Sequence, residues 1–191
     1  MKVKLLGMGL VGVLGLVVVS IAAAKVINGT DGDDTLPGTP RADLIQGLGG
    51  NDQIAGRGGP DILLAGKGND TVRGGYGGDV VWGNSGDDQL YGGPGNDVVR
   101  GRGGNDEVYG GRGADQLFAG FGADDVHGGP GRDTLYAVAR DGQLDKLDCG
   151  PGNDVAVVRA GEQTAIVNCE TVKVVPDSAS TEEPGETPAN D

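Results

Sequence analysis

Histidine is nearly missing from this chain, cysteine occurs twice, tryptophan once, and aromatic residues make up 4 % of the 191 positions. Each scarcity excludes something. A single histidine, His127, cannot build a zinc site, which draws on imidazoles and thiolates. No serine or cysteine arrangement accompanies it to suggest a nucleophilic centre. Basic residues are also few, 15 Lys and Arg against 28 Asp and Glu, and a net charge of −13 would repel a phosphate backbone. Nucleic acid is therefore not an expected partner. Uninterrupted helix-forming stretches are lacking too, because the chain holds 40 Gly and 9 Pro. A helix interior loses about 1 kcal/mol per glycine, which excludes helical bundles and doubly wound sheets.

What is present begins with a leader. Lys2 and Lys4 precede a stretch from Leu5 to Val19 without charge, and Ala22, Ala23 and Ala24 offer a small-residue cleavage site. Residues 1–24 read as a signal peptide, and the mature protein as extracellular, with no membrane segment once the leader is cleaved. An uncleaved anchor is the alternative, since about 20 apolar residues can span a bilayer. Loss of Lys2 and Lys4 with the leader takes the net charge from −13 to −15. Export also accounts for the even cysteine count, and Cys149 and Cys169 are expected to form a disulfide.

The middle of the chain is periodic. Aspartate recurs every nine residues at Asp34, Asp43, Asp52, Asp61, Asp70, Asp79, Asp88, Asp97, Asp106, Asp115, Asp124 and Asp133. Two residues after each stands an aliphatic residue, from Leu36 and Ile45 through to Val126 and Leu135. Glycine stands two before the Asp in eleven of the twelve repeats, Arg41 being the exception, and five before it in ten, with Ala65 and Ala119 the exceptions. Closely spaced glycines permit a tight turn, and the three residues after Asp read as a short strand with its middle side chain inward. One aliphatic residue per unit cannot form a core alone, but stacking makes one. Two units, 18 residues, make one coil with two turns and two strands. The twelve then give six coils of parallel strands, an all-β solenoid.

Stacked coils bring alternate aspartates to about the strand spacing of 4.8 Å. Two rows of carboxylates would push the coils apart unless a cation sits among them. Ca²⁺ suits best, accepting six to eight oxygen ligands, carboxylate and carbonyl alike, in flexible geometry, whereas Mg²⁺ demands an octahedron and keeps its water.

Units such as Gly92-Gly93-Pro94-Gly95-Asn96-Asp97-Val98-Val99-Arg100 resemble the G-G-x-G-x-D-x-U-x nonapeptide of the RTX (haemolysin-type) calcium-binding family. The resemblance covers residues 28 to 136. It implies a right-handed parallel β-roll, folding driven by calcium, and the Asp34 to Asp133 series as side-chain ligands to about ten ions. Some repeats depart from the pattern. Arg41 puts the sites using Asp43 in doubt, and Pro60, Gly78, Ala114, Ala123 and Arg132 replace the usual Asn or Asp before the ligand. After Asp133 the phase slips to Asp145, and the spacing of nine returns at Asp154, as an insertion followed by a degenerate turn would produce.

The expected organisation is a leader over 1–24, a β-roll over 25–136, a degenerate repeat and C-terminal β cap with the disulfide over 137–175, and a disordered acidic tail over 176–191. Val26 and Ile27 are expected to add a strand at the front. The two outer faces differ. One carries Tyr91, Tyr109 and His127; the other, flatter and more apolar, carries Leu44, Ile62, Val80 and Val98 beside Leu64, Trp82, Arg100, Phe118 and Tyr136. The apolar face reads either as side-chain ladders, with Arg100 stacked between Trp82 and Phe118, or as a contact surface for self-association or a cell-surface or glycan partner. No enzyme is expected: the repeats start close to the expected cleavage site, leaving no room for a catalytic domain between, and a calcium row offers no apolar niche for a protonated acid. Two readings stay open, a secreted calcium-binding structural module and a calcium-dependent recognition protein.

Overall fold

A computed structural model describes residues 25–177. The expected leader and all of the expected tail except Pro176 and Asp177 lie outside the described residues. Among the described residues the fold is all β, built from two parallel sheets. One sheet stacks β1 (Lys25–Asn28), β3 (Asp43–Gly49), β5 (Ile62–Lys67), β7 (Val80–Ser85), β9 (Val98–Gly103), β11 (Gln116–Phe121), β13 (Thr134–Ala137), β15 (Val155–Arg159) and β17 (Thr171–Val175) in that order. The other stacks β2 (Thr35–Pro37), β4 (Gln53–Gly58), β6 (Thr71–Tyr76), β8 (Gln89–Pro94), β10 (Glu107–Arg112), β12 (Asp125–His127), β14 (Leu144–Asp148) and β16 (Gln163–Val167). Chain order alternates between the sheets, so the polypeptide winds as a solenoid of about eight turns.

The register is the repeat written in space. Val81 lies beside Val99 and Leu63, each 18 residues away, and Val108 lies beside Leu90 and Val126. The aliphatic residue of every repeat from Ile45 to Leu135 is at most 1 % exposed, and these side chains form one continuous core. Strands β4 to β11 run six residues rather than three, because the glycine half of the unit also pairs with the coils on either side, as Gly111 does with Gly93.

The C-terminal segment continues the roll. Strands β14 to β17 extend the two sheets, and Cys149 and Cys169 are joined as a disulfide across 20 residues. Four residues after each Asp the early repeats place Gly or Ala; here the same position holds Ala137 and then grows to Cys149 and Val158, all in the core. β1 adds the expected front strand, paired with β3.

On the sheet of β7, Arg100 lies over Phe118 at 4.1 Å, and Phe118 stacks on Tyr136 at 4.5 Å. Arg102, two residues further along β9, lies over Trp82 at 4.5 Å. These contacts leave Phe118 only 4 % exposed.

Turn conformation makes a sharp prediction. Gly113 has φ +146°, and a Cβ there would collide with the Gly95 carbonyl of the preceding coil. Gly113→Ala is expected to cost about 3 kcal/mol or more. Leu48, a non-glycine held at φ +83° and half-exposed, is the converse case, and Leu48→Gly is expected to leave stability unchanged or raise it by up to about 1 kcal/mol. Thermal unfolding of the two variants at saturating calcium checks both signs.

Candidate metal centres

Each aspartate sits where a tight turn hands over to a strand, and stacking sorts the series into two rows, one on each edge of the roll. Asp52, Asp70, Asp88, Asp106 and Asp124 lie along one edge, and Asp61, Asp79, Asp97, Asp115 and Asp133 along the other. Within a row, Oδ1 of each carboxylate accepts the backbone N–H of the aspartate one coil earlier. Asp61 N–H donates to Asp79 Oδ1 at 2.8 Å, and Asp97 N–H to Asp115 Oδ1 at 2.8 Å. The aspartates from Asp52 through Asp133 are at most 2 % exposed.

Their second oxygens have nothing. Oδ2 of Asp52, Asp61, Asp70, Asp79, Asp88, Asp97, Asp106, Asp115, Asp124, Asp133 and Asp154 is buried without a hydrogen-bond partner, eleven orphaned carboxylate oxygens in register. Leaving even one such group unpaired costs about 1–3 kcal/mol, and more when it is charged. Backbone carbonyls face the same space. A Cβ placed on Gly92 would stand 2.6 Å from Asp97 Oδ2 and 2.7 Å from the Gly110 carbonyl oxygen, the latter belonging to the next coil. At Gly74 the corresponding distances are 2.5 Å to Asp79 Oδ2 and 2.5 Å to the Gly92 oxygen. Where glycine stands five before the aspartate, as at Gly74 and Gly92, it thus leaves open a cradle of carboxylate and carbonyl oxygens, and Ala65 and Ala119 are the exceptions, before Asp70 and Asp124. At the C-terminal end the disulfide residue joins in, its Cys149 oxygen and Asp133 Oδ2 lying 2.5 and 2.8 Å from that point on Gly128.

No cluster of three or more His, Cys, Asp or Glu side chains that could hold a metal occurs among the described residues. A cation on these rows would therefore be held by one carboxylate per turn plus main-chain oxygens, a donor set that fits Ca²⁺ and excludes zinc.

The rows continue beyond the sequence series. Asp145 Oδ1 accepts the Asp124 N–H at 3.1 Å, and Asp154 Oδ1 accepts the Asp133 N–H at 2.7 Å, each across 21 residues instead of 18. A three-residue lengthening of this coil produces the phase slip and shifts both together. Their mutual spacing of nine was the signal that places Asp145 in a row. Glu170 ends the second row by accepting the Asp154 N–H at 2.7 Å.

The residue before each aspartate separates the two edges. Asp33, Asn51, Asn69, Asp87 and Asn105 form a forward-reaching ladder, each Oδ1 accepting the N–H of the residue 18 further on at 2.7–3.0 Å. On the other edge Pro60, Gly78, Ala114 and Arg132 carry no such acceptor, and only Asn96 makes the bond, to the Ala114 N–H at 2.9 Å.

The geometry and the donor set define a calcium-binding parallel β-solenoid. The RTX calcium-binding nonapeptide repeat matches residues 28–63, 64–99 and 100–135, more than half of the chain, and the protein belongs to that family. No curated protein matches the chain.

Burial raises the carboxylates. Desolvation pushes Asp61, Asp88, Asp97 and Asp124 up to about 7 and Asp106 up to about 8, against the bond each accepts from the preceding aspartate's amide, which pulls the other way. Asp70, Asp79, Asp115, Asp133 and Asp145 rise to about 6 for the same reason. In the unfolded chain these groups titrate near 3.8, so between that value and about 7 the metal-free fold holds more protons than the unfolded chain. Its stability is therefore greatest at low pH, falls as pH rises above about 4, and is lost by the time pH has passed the folded values of about 6 to 8. In EDTA, the far-UV β-signal is expected to be stronger at pH 5 than at pH 8, and the calcium midpoint to move to higher concentration as pH falls from 8 to 6. A metal-free β-signal that weakens on acidification from pH 8 to 5 would contradict the assignment.

Proposed function

We propose that the protein is exported and that Ca²⁺, held between successive turns on both edges, drives folding of the roll outside the cell. The observation that carries this reading is the double row of buried, unpartnered Oδ2 atoms, each on a carboxylate whose other oxygen already binds an amide. A divalent cation supplies the missing positive charge and converts repulsion along each row into attraction. Side-chain ligands are the aspartates from Asp52 to Asp133, with Asp145 and Asp154 continuing the rows, and the stack accommodates about ten ions. Metal binding and folding are then one equilibrium, since the rows exist only when the coils are stacked. Low calcium leaves the chain unfolded; calcium-rich surroundings make it a rod. The role is structural, and no reaction is assigned.

A second reading is favoured by one feature of the outer surface. Tyr91, Tyr109 and His127 stack at 4.9 and 4.8 Å with planes 6° apart, and Arg73 lies 5.2 Å over the Tyr91 ring. Such a half-buried ladder suits calcium-dependent recognition of a glycan or cell-surface partner. Tyr91→Ser with Tyr109→Ser is the discriminating variant. Recognition is supported if it folds and binds calcium but is no longer retained on candidate surfaces, and unchanged retention returns the ladder to a purely structural role.

Circular dichroism of residues 25–191 in EDTA, across a Ca²⁺ titration with a Mg²⁺ control, tests the main proposal. A cooperative, calcium-specific gain of β-signal is expected. Asp79→Asn with Asp97→Asn is expected to shift the calcium midpoint upward by about tenfold or more, one such factor being 1.4 kcal/mol. A full β-signal in EDTA that calcium leaves unchanged would make the aspartates metal-free turn caps.

A further inference from the structure

Asp34 and Asp43 are in frame with the later aspartates, and each is followed two residues on by a core aliphatic, Leu36 or Ile45. Their carboxylates are nevertheless already engaged. Thr30 N–H donates to Asp34 Oδ2 at 2.6 Å, and the Thr30 hydroxyl donates to the same oxygen at 2.9 Å. Thr39 N–H donates to Asp43 Oδ2 at 2.5 Å and its hydroxyl to Asp43 Oδ1 at 3.2 Å, while Lys25 N–H donates to Asp43 Oδ1 at 3.2 Å. The run of orphaned oxygens begins only at Asp52.

The residue four before each aspartate is the cause. From Leu48 to Gly129 every repeat holds that residue in the left-handed region, with φ between 80° and 130°, whether it is Gly, Leu, Arg or Asn. Threonine is branched at Cβ, and left-handed backbone is a strong outlier for such residues. Thr30 and Thr39 keep ordinary φ, and their amides point at the carboxylates. The carbonyl side of the cradle persists: the point a Cβ would take on Gly29 is 2.5 Å from the Gly47 oxygen, and that on Gly38 is 2.5 Å from the Gly56 oxygen. What sets the first coil apart is that its carboxylates have donors of their own.

We infer that Asp34 and Asp43 are not calcium ligands, and that threonine donors in the first coil take the place the cation holds further along. This rests on the calcium reading proposed above. It gives the roll a metal-independent N-terminal end, a template on which the second coil adds as ions bind.

The test counts ions bound to the full chain at saturating Ca²⁺ by equilibrium dialysis, with circular dichroism confirming the fold. Asp34→Asn with Asp43→Asn is expected to bind as many ions as the parent, whereas Asp61→Asn with Asp79→Asn loses one or more. Thr30→Gly with Thr39→Gly, which releases the turns into the left-handed region beside carbonyls already in place, is expected to gain one or two. A folded first-coil aspartate variant that has lost an ion overturns the inference while leaving the calcium reading intact. If that variant does not fold, the threonine variant decides, and an unchanged ion count there overturns the inference. A parent chain that binds no calcium removes the calcium reading and this inference together.

Discussion

The structure depends on a carboxylate that has been taken out of water and given only half of what it needs. At each turn from Asp52 to Asp133 one oxygen of the aspartate holds the neighbouring coil through an amide, at 2.7–2.9 Å for the central repeats, and the other is buried without a hydrogen-bond partner. Burying such a group is unfavourable, and stacking two rows of them is more so. The rest of the repeat follows from accommodating it. A small residue, glycine in most repeats and Ala65 or Ala119 in two, stands where the carbonyl and carboxylate oxygens converge, the left-handed residue four before the aspartate leaves the second oxygen without a donor, and the single aliphatic residue holds the sheets together behind the turns. A proton or a hard dication can each fill the gap. At neutral pH the dication is the stronger candidate, because it also satisfies carbonyls from the adjoining coil.

That constraint also explains the ends. A solenoid of parallel strands gains each coil's stability from its neighbours, so terminal coils need other means. At the C-terminal end the glycine column gives way to Ala137, Cys149 and Val158, whose side chains add to the core, and the disulfide closes a 20-residue loop, worth about 3 kcal/mol in the chain-entropy view. The Cys149 carbonyl lies in the cradle beside Asp133, so the disulfide and that carboxylate meet in one residue.

Much of this was legible in the sequence because the nine-residue period carries both chemistry and geometry. Spacing alone fixed the 18-residue coil, the two sheets, the buried aliphatic column and the sorting of aspartates into rows. Three things were hidden. The lengthened coil moved Asp145 and Asp154 out of the running count, although their mutual spacing of nine preserved the signal. The strands proved longer than the aliphatic triplets, since glycine segments paired with neighbouring coils have no propensity signature. The state of each carboxylate depends on the φ of a residue four positions away, and nothing in the nine-residue period marks Thr30 and Thr39 as different there.

The two edges of the roll are not equivalent. On one, the Asp33 to Asn105 ladder reaches forward to the next coil while the aspartate row reaches back, so each junction there is closed twice by side chains before any ion is present. On the other, Pro60, Gly78, Ala114 and Arg132 leave most junctions with the backward bond alone. A neutral hydrogen bond contributes about 1 kcal/mol, so the difference amounts to several kcal/mol when summed along the stack. The Asn-bearing edge therefore approaches its folded geometry with less help, and the opposite edge, on which β5, β7, β9, β11 and β13 begin, is where a cation contributes most.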